Sequence, residues 1–210
     1  MIIAIDGPAA AGKGTLARRL AEHFDFAFLD TGRLYRAVGY LVLKAGGDPA
    51  NETDALRAAK ALDPGSLESV DLHTETIADA ASQVAAIPAV RQVLLNFQRN
   101  FARTPPSGKA GAVLDGRDIG SVVCPDAEVK LFVTARPEIR AARRHKELRE
   151  KGLESTYAAV LAEIEARDVR DSTRKVSPLI PGDAHTLDTS DETPDAVFDA
   201  ARAHIECLNW

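Results

Sequence analysis

Short apolar runs alternate along the chain with longer segments whose apolar positions recur every three or four residues. Residues 2–5 (Ile-Ile-Ala-Ile) read as a buried strand that turns at Asp6-Gly7-Pro8. Residues 13–23 then carry helical spacing through Leu16, Ala17 and Leu20, and 27–29 form a second short strand. A helix over 32–45 presents Leu34, Val38, Leu41 and Val42 on one face. Residues 51–62 predict another helix, and 63–73 a connector containing Pro64 and Gly65. Helices follow over 75–86 and 88–102, the latter with Pro88 in its first turn, and 104–111 is a loop. Strands at 112–114 and 129–133 bracket the centre of the second half. Two strongly charged helices cover 137–151 and 156–171, and a fifth short strand covers 186–188. The last helix opens with Thr193 as N-cap and Pro194 at its first position. Strand alternating with helix is the signature of an α/β fold, here a five-stranded parallel sheet with helices on both faces.

At 210 residues the chain suffices for one core with excursions, and is short for two domains of usual size. No apolar run reaches the roughly 20 residues that span a bilayer. The N-terminus enters a strand at once, without the layout of a signal peptide, so a cytoplasmic location is the default expectation. Cys124 and Cys207 lack metal-ligand spacing and are expected to be reduced, buried thiols. The net charge of −5 argues against binding a long polyanion. Yet arginines gather at 140, 143, 144 and 149, and at 167, 170 and 174. Local arginine in an acidic protein suits a small anionic ligand.

Residues 7–15 read Gly7-Pro8-Ala9-Ala10-Ala11-Gly12-Lys13-Gly14-Thr15. The phosphate-loop pattern G-x-x-x-x-G-K-[ST] is met through Lys13, with Gly14 interposed before Thr15. Glycines at 7 and 12 permit backbone angles that aim successive N–H groups at an anion, and the helix that follows adds its positive end. Lys13 is placed to bridge the β- and γ-phosphates of ATP, and Thr15 to offer a hydroxyl to phosphate or Mg²⁺. Asp115 ends an apolar strand, where it suits a second-shell or water-mediated Mg²⁺ ligand, or else caps a turn.

An acceptor that is itself a phosphate must be held against like-charge repulsion, which planar guanidinium groups do best. Three segments offer them. Asp30-Thr31-Gly32-Arg33-Leu34-Tyr35-Arg36 opens a helix, Asp115-Gly116-Arg117-Asp118 follows a strand, and Arg167, Asp171 and Arg174 share a helix face. Each also reads as a solvated charged face laced with ion pairs. The parts serve a kinase for a nucleoside monophosphate or another small acceptor such as shikimate. They serve, less well, a nucleotide-dependent switch or a nucleic-acid-dependent ATPase.

Taken together these stretches resemble the bacterial cytidylate kinases. The resemblance rests on Ile-Asp-Gly-Pro-Ala-Ala-Ala-Gly-Lys-Gly-Thr at 5–15, Leu-Asp-Thr-Gly at 29–32 with Tyr35-Arg36, and Ala-Ala-Ser-Gln-Val-Ala-Ala at 80–86 with Val90-Arg91. It continues through Asp-Gly-Arg-Asp-Ile-Gly at 115–120, Pro125-Asp126-Ala127, Ala-Arg-Asp-Val-Arg-Asp at 166–171 with Arg174, and Leu-Asp-Thr-Ser at 187–190. It implies a single phosphate-loop kinase domain over 1–210, with a helical monophosphate-binding excursion over 31–103 and a short arginine-rich lid over 140–175. The family often carries a longer insert with a small antiparallel sheet; here residues 63–74 are short and strand-poor.

The resemblance also implies roles. Residues 7–15 bind the ATP phosphates, joined by Arg140 and Arg144 from the lid. Ser82, Arg91 and Asp118 read cytosine; Arg36 and Arg117 hold the CMP phosphate; Thr31 also binds CMP; Arg167 and Asp171 hold the sugar, and Arg174 reaches the nucleotide. Lys13, Arg117, Arg170 and Arg174 neutralise the migrating phosphoryl group together with Mg²⁺, for which Thr15 and Asp115 are the candidate ligands. Asp118 as a carboxylate accepts from the N4 amino group of cytosine and repels the O4 of uracil, a mismatch worth roughly 1–3 kcal/mol in a buried site. The implied substrates are ATP with CMP or dCMP, no nucleic acid or membrane is expected as partner, and analogy points to a monomer.

Overall fold

A computed structural model describes residues 1–63, 72, 74–174 and 176–208. Most of the connector expected over 63–74 therefore lies outside the described residues. Five strands are present: β1 Ile2–Asp6, β2 Ala27–Asp30, β3 Ala112–Gly116, β4 Val129–Thr134 and β5 His185–Asp188. They form one sheet in the order β2-β3-β1-β4-β5. The ladders of β1 with β3, β1 with β4 and β4 with β5 run parallel, with Ile5 opposite Asp115 and Leu131. Strands buried on both faces read as continuous apolar runs, and β1 and β3 do so up to the aspartates near their C-terminal ends.

Eight helices are described: α1 Lys13–His23, α2 Thr31–Lys44, α3 Glu52–Lys60, α4 Glu75–Val84, α5 Pro88–Arg103, α6 Pro137–Glu150, α7 Tyr157–Thr173 and α8 Pro194–Glu206. Their starts follow local chemistry. The side chains of Asp30, Asn51, Thr74, Thr156 and Thr193 each accept a first-turn backbone N–H, while Pro88, Pro137 and Pro194 sit at first positions.

The chain divides into two compact units, Met1–Leu29 with Pro105–Trp210, and Asp30–Thr104. In the first, Ile3, Ile5, Leu16, Leu20, Val113, Leu131 and Ile205 build the core between sheet, α1 and α8. A smaller cluster of Ala141, Leu148, Val160 and Ile164 joins α6 to α7. In the second unit, Leu34, Val38, Val42, Val84, Val90 and Leu94 form a separate helical core.

Three details depart from the sequence reading. The loop at 104–111 contains a single 3₁₀ turn, Pro106–Gly108. A π-helical turn, Ile119–Val123, follows β3 where no element is expected, because a single short turn leaves no periodic signal. Cys124 is buried as expected, but Cys207 is exposed. It caps α8 two residues beyond Ile205, the last side chain that the helix buries in the core.

Candidate active site

In the first unit, β1 carries the chain to Gly7, whose φ is 146°. A Cβ there would lie 1.9 Å from the carbonyl oxygen of Val133 on β4, so residue 7 must be glycine on steric as well as conformational grounds. Ala10 (φ 58°) and Gly12 (φ 91°) are also left-handed. The loop thus winds into a nest before α1, whose N-cap, Gly12, has no side chain to cap the first turn. A helix start open in this way, with its dipole behind it, is an anion site.

Lys13 is buried, only 6% exposed, and its Nζ donates to the Pro8 carbonyl at 2.8 Å. Burial first, and then the positive charge of Arg117, push the ammonium down to about 7; Arg167 adds to this, and Asp115 and Asp6 oppose it. A cation held this uncomfortably among other cations gains when an anion arrives. The Asp115 carboxylate lies 3.4 Å from where a Cβ on residue 14 would stand, so it flanks the first turn of α1. Gly14, the interposed glycine, leaves that space open. Thr15 follows it, exposed on the same turn.

Beside the loop stands a cluster of arginines around one carboxylate. Arg117 Nε donates to Asp171 Oδ2 at 3.0 Å. Arg167 approaches the same oxygen at 4.0 Å, and Arg174 the other at 3.8 Å. The i, i+4 spacing on α7 brings Arg167 to Asp171, and Arg174 lies just past the helix end. Burial pulls the Asp171 carboxyl upward, but Arg117, Arg167 and Arg174 outweigh it and hold it below the ordinary range. Arg170 is exposed on α7.

Arg140 is 3% exposed, and its guanidinium is engaged with protein groups. Nε donates to Ala135 O at 2.7 Å, Nη1 to Ala9 O at 3.4 Å, and both terminal nitrogens grip Asp168 at 3.0 and 2.6 Å. It braces the phosphate loop against α7. Arg144 pairs with Glu147 at 3.0 Å. Thr189 donates from Oγ1 to the Ala11 carbonyl at 3.1 Å and accepts from Arg143 at 2.9 Å, a second brace of the loop.

Asp6 is the residue that sequence reasoning missed. Its two carboxylate oxygens each accept a backbone N–H, from Ile119 and Gly120, both at 2.8 Å. The signal was available: Asp6 closes an apolar strand, as Asp115 does. Its partners were hidden because they lie more than a hundred residues away.

In the second unit, Asp30 caps α2 by accepting from Arg33 N at 3.0 Å and holds Arg36 Nη2 at 2.6 Å. Thr31 is buried at the same helix start. Arg91 is buried, donates to Ala85 O at 3.1 Å and stacks over the Tyr35 ring with its guanidinium carbon 5.5 Å from the centroid. Ser82 is half-buried on α4, which packs closely on α2 at Gly39, where a Cβ would lie 3.0 Å from Ala80 Cβ.

The cytidylate kinase family model matches residues 3–206. This chain belongs to the cytidylate kinase family. A relative from Paramagnetospirillum magneticum, named cytidylate kinase, is 62% identical over 201 residues, covering 95% of each chain. Another of that name from Rhodospirillum rubrum is 58% identical, covering 96% of this chain and 95% of its own. Among solved structures, an uncharacterized protein from Eubacterium ventriosum superposes with a TM-score of 0.55 at 14% identity, over 98% of each chain, a likeness of fold alone.

Proposed function

We propose that this chain transfers the γ-phosphate of ATP to CMP or dCMP, giving ADP and CDP or dCDP, a step of pyrimidine nucleotide metabolism. What supports this reading is the company Lys13 keeps within the first unit: an open anion nest on one side, and three guanidinium groups facing one carboxylate on the other. Two anionic phosphates brought together need this much fixed positive charge.

The residues divide the work. Backbone N–H groups of residues 7–15 bind the donor phosphates, and Lys13 bridges the β- and γ-phosphates. Arg117 and Arg36 hold the acceptor phosphate, with Thr31 at the start of α2. Asp118, Arg91 and Ser82 read the cytosine edge, and Arg167 and Asp171 hold the sugar. No strong general base is required, because a phosphate oxygen of CMP is already anionic. Arg174 and Arg170 add charge as the phosphoryl group moves, in a transition state that asks chiefly for alignment.

Hard oxygen donors suit Mg²⁺, and the Asp115 carboxylate beside the first turn of α1 with the Thr15 hydroxyl on that turn make a fitting pair. They would hold it partly through water, and it would neutralise charge on the donor phosphates. Residues 31–103 act as the acceptor-binding excursion and 140–175 as a lid that excludes water from the reaction. No described helix is long and apolar enough to cross a membrane; we place the enzyme in the cytoplasm as a monomer.

The deciding experiment is a steady-state assay of ADP release with ATP, Mg²⁺ and a panel of CMP, dCMP, UMP, AMP and shikimate. CMP or dCMP is expected to give the highest kcat/KM. A panel led by UMP, AMP or shikimate, or ADP release indifferent to acceptor, refutes the assignment.

A further inference from the structure

The acceptor-facing turn after β3 is fastened by a residue outside the binding set. Arg117 and Asp118 sit on Asp-Gly-Arg-Asp-Ile-Gly, immediately before the π-helical turn, a rare element. The Ile119 and Gly120 N–H groups begin that turn, where the helix supplies no acceptor for them. Asp6 supplies both acceptors, at 2.8 Å each, from the last position of β1. Residue 7, its neighbour, starts the phosphate loop. One buried carboxylate thus ties the strand that launches the donor loop to the turn that carries two candidate acceptor contacts.

Burial makes this carboxylate expensive to keep ionised: desolvation, helped by Asp118, raises it to about 6 against the lowering effects of its two backbone hydrogen bonds and of Lys13. A stabilising core residue at this site would be apolar. A charged one is retained where its hydrogen bonds set a geometry that apolar packing would not specify.

We infer that Asp6 is a positioning residue for the acceptor, fixing the Arg117–Gly120 turn so that Arg117 and Asp118 meet the monophosphate in register with the phosphate loop. The inference rests on the acceptor roles proposed above for those two residues. Asp6→Asn keeps the shape but turns one amide N–H toward a backbone N–H, so one of the two bonds becomes a repulsion. The expected result is a rise of roughly ten-fold or more in KM for CMP and a fall in the CMP to UMP ratio of kcat/KM, on the scale of one lost charge-assisted hydrogen bond. The dissociation constant of a non-hydrolysable ATP analogue, measured without acceptor, should stay within about two-fold, because the turn is not part of the donor loop. A role in folding alone would weaken both ligands alike or neither, and either outcome overturns the inference. Asp118→Ala is run alongside. If it leaves CMP KM and the CMP to UMP ratio unchanged, the acceptor reading itself fails. If it moves them while Asp6→Asn does not, the inference about Asp6 fails alone. Should Asp6→Asn not fold, amide exchange in the unaltered protein decides. Ile119 and Gly120 must exchange far more slowly than the exposed Ser121, and equal rates overturn the tie.

Discussion

On the proposed donor side, one ammonium group, that of Lys13, is both buried and surrounded by charge. Its Nζ holds the loop through the Pro8 carbonyl and is destabilised by burial and by Arg117. Replacing it with alanine is expected to lower kcat by at least about a hundred-fold, the scale of losing one preorganised transition-state contact, while circular dichroism stays native. Full activity in that variant would remove Lys13 from the mechanism. Asp118→Ala should cut the preference for CMP over UMP by roughly ten-fold, read from the ratio of kcat/KM values. Asp6 makes a pH prediction whose sign is set by its raised folded pKa. Its carboxyl favours the fold while protonated in both states, below about pH 4, and that contribution is lost as pH rises through about 6. Between those values the wild type should lose about 3 kcal/mol relative to Asp6→Asn, seen as diverging urea midpoints between pH 4 and 6.5. Among single residues, the need for glycine at 7 and 12 was legible from the motif. The partners of Asp6 and Arg140 were not, since a carboxylate or guanidinium shows what it holds only in the folded chain.

Elements act here through braces. Arg140 links α6, the phosphate loop and Asp168 on α7. Arg140→Ala strands a carboxylate and two carbonyl acceptors, so a loss of about 3 kcal/mol is expected in denaturant melts, together with weaker ATP binding. Arg140→Lys should restore only part of it, because an ammonium cannot make the paired grip. An unchanged melt would show that the brace contributes nothing. α2 and α4 approach closely because residue 39 lacks a side chain. Gly39→Val is expected to cost roughly 1–3 kcal/mol by overpacking against Ala80 and Ala81, despite the better helix propensity of valine. Helix starts were readable in advance at Thr193 and Pro88, where capping chemistry is local. The π turn at Ile119–Val123 escaped notice because it is held from outside by Asp6.

For the whole molecule, the two separate cores make a prediction about independence. Leu94→Ala opens a cavity in the helical core of Asp30–Thr104, at an expected cost of about 2–4 kcal/mol. Amide exchange should rise within 30–104 while ATP-analogue affinity holds; a matching loss of ATP affinity would contradict the assignment of the donor site to the first unit alone. The parallel α/β sheet followed from alternating apolar runs and helical spacing, because burial on both faces leaves continuous apolar runs in the central strands β1 and β3. The wound backbone of residues 7–12 followed as well, because glycine angles are properties of a few consecutive residues. Strand order could not be read, since β1 is central only by virtue of pairing with β3 and β4, both more than a hundred residues on. The same holds for the arginines. The chain announces several and does not rank them. Folding turns Arg117, Arg167 and Arg174 toward Asp171, spends Arg140 on the loop, and leaves Arg170 exposed. Local patterns determine what short segments become; which distant charges meet is decided only where the folded chain removes water from between them.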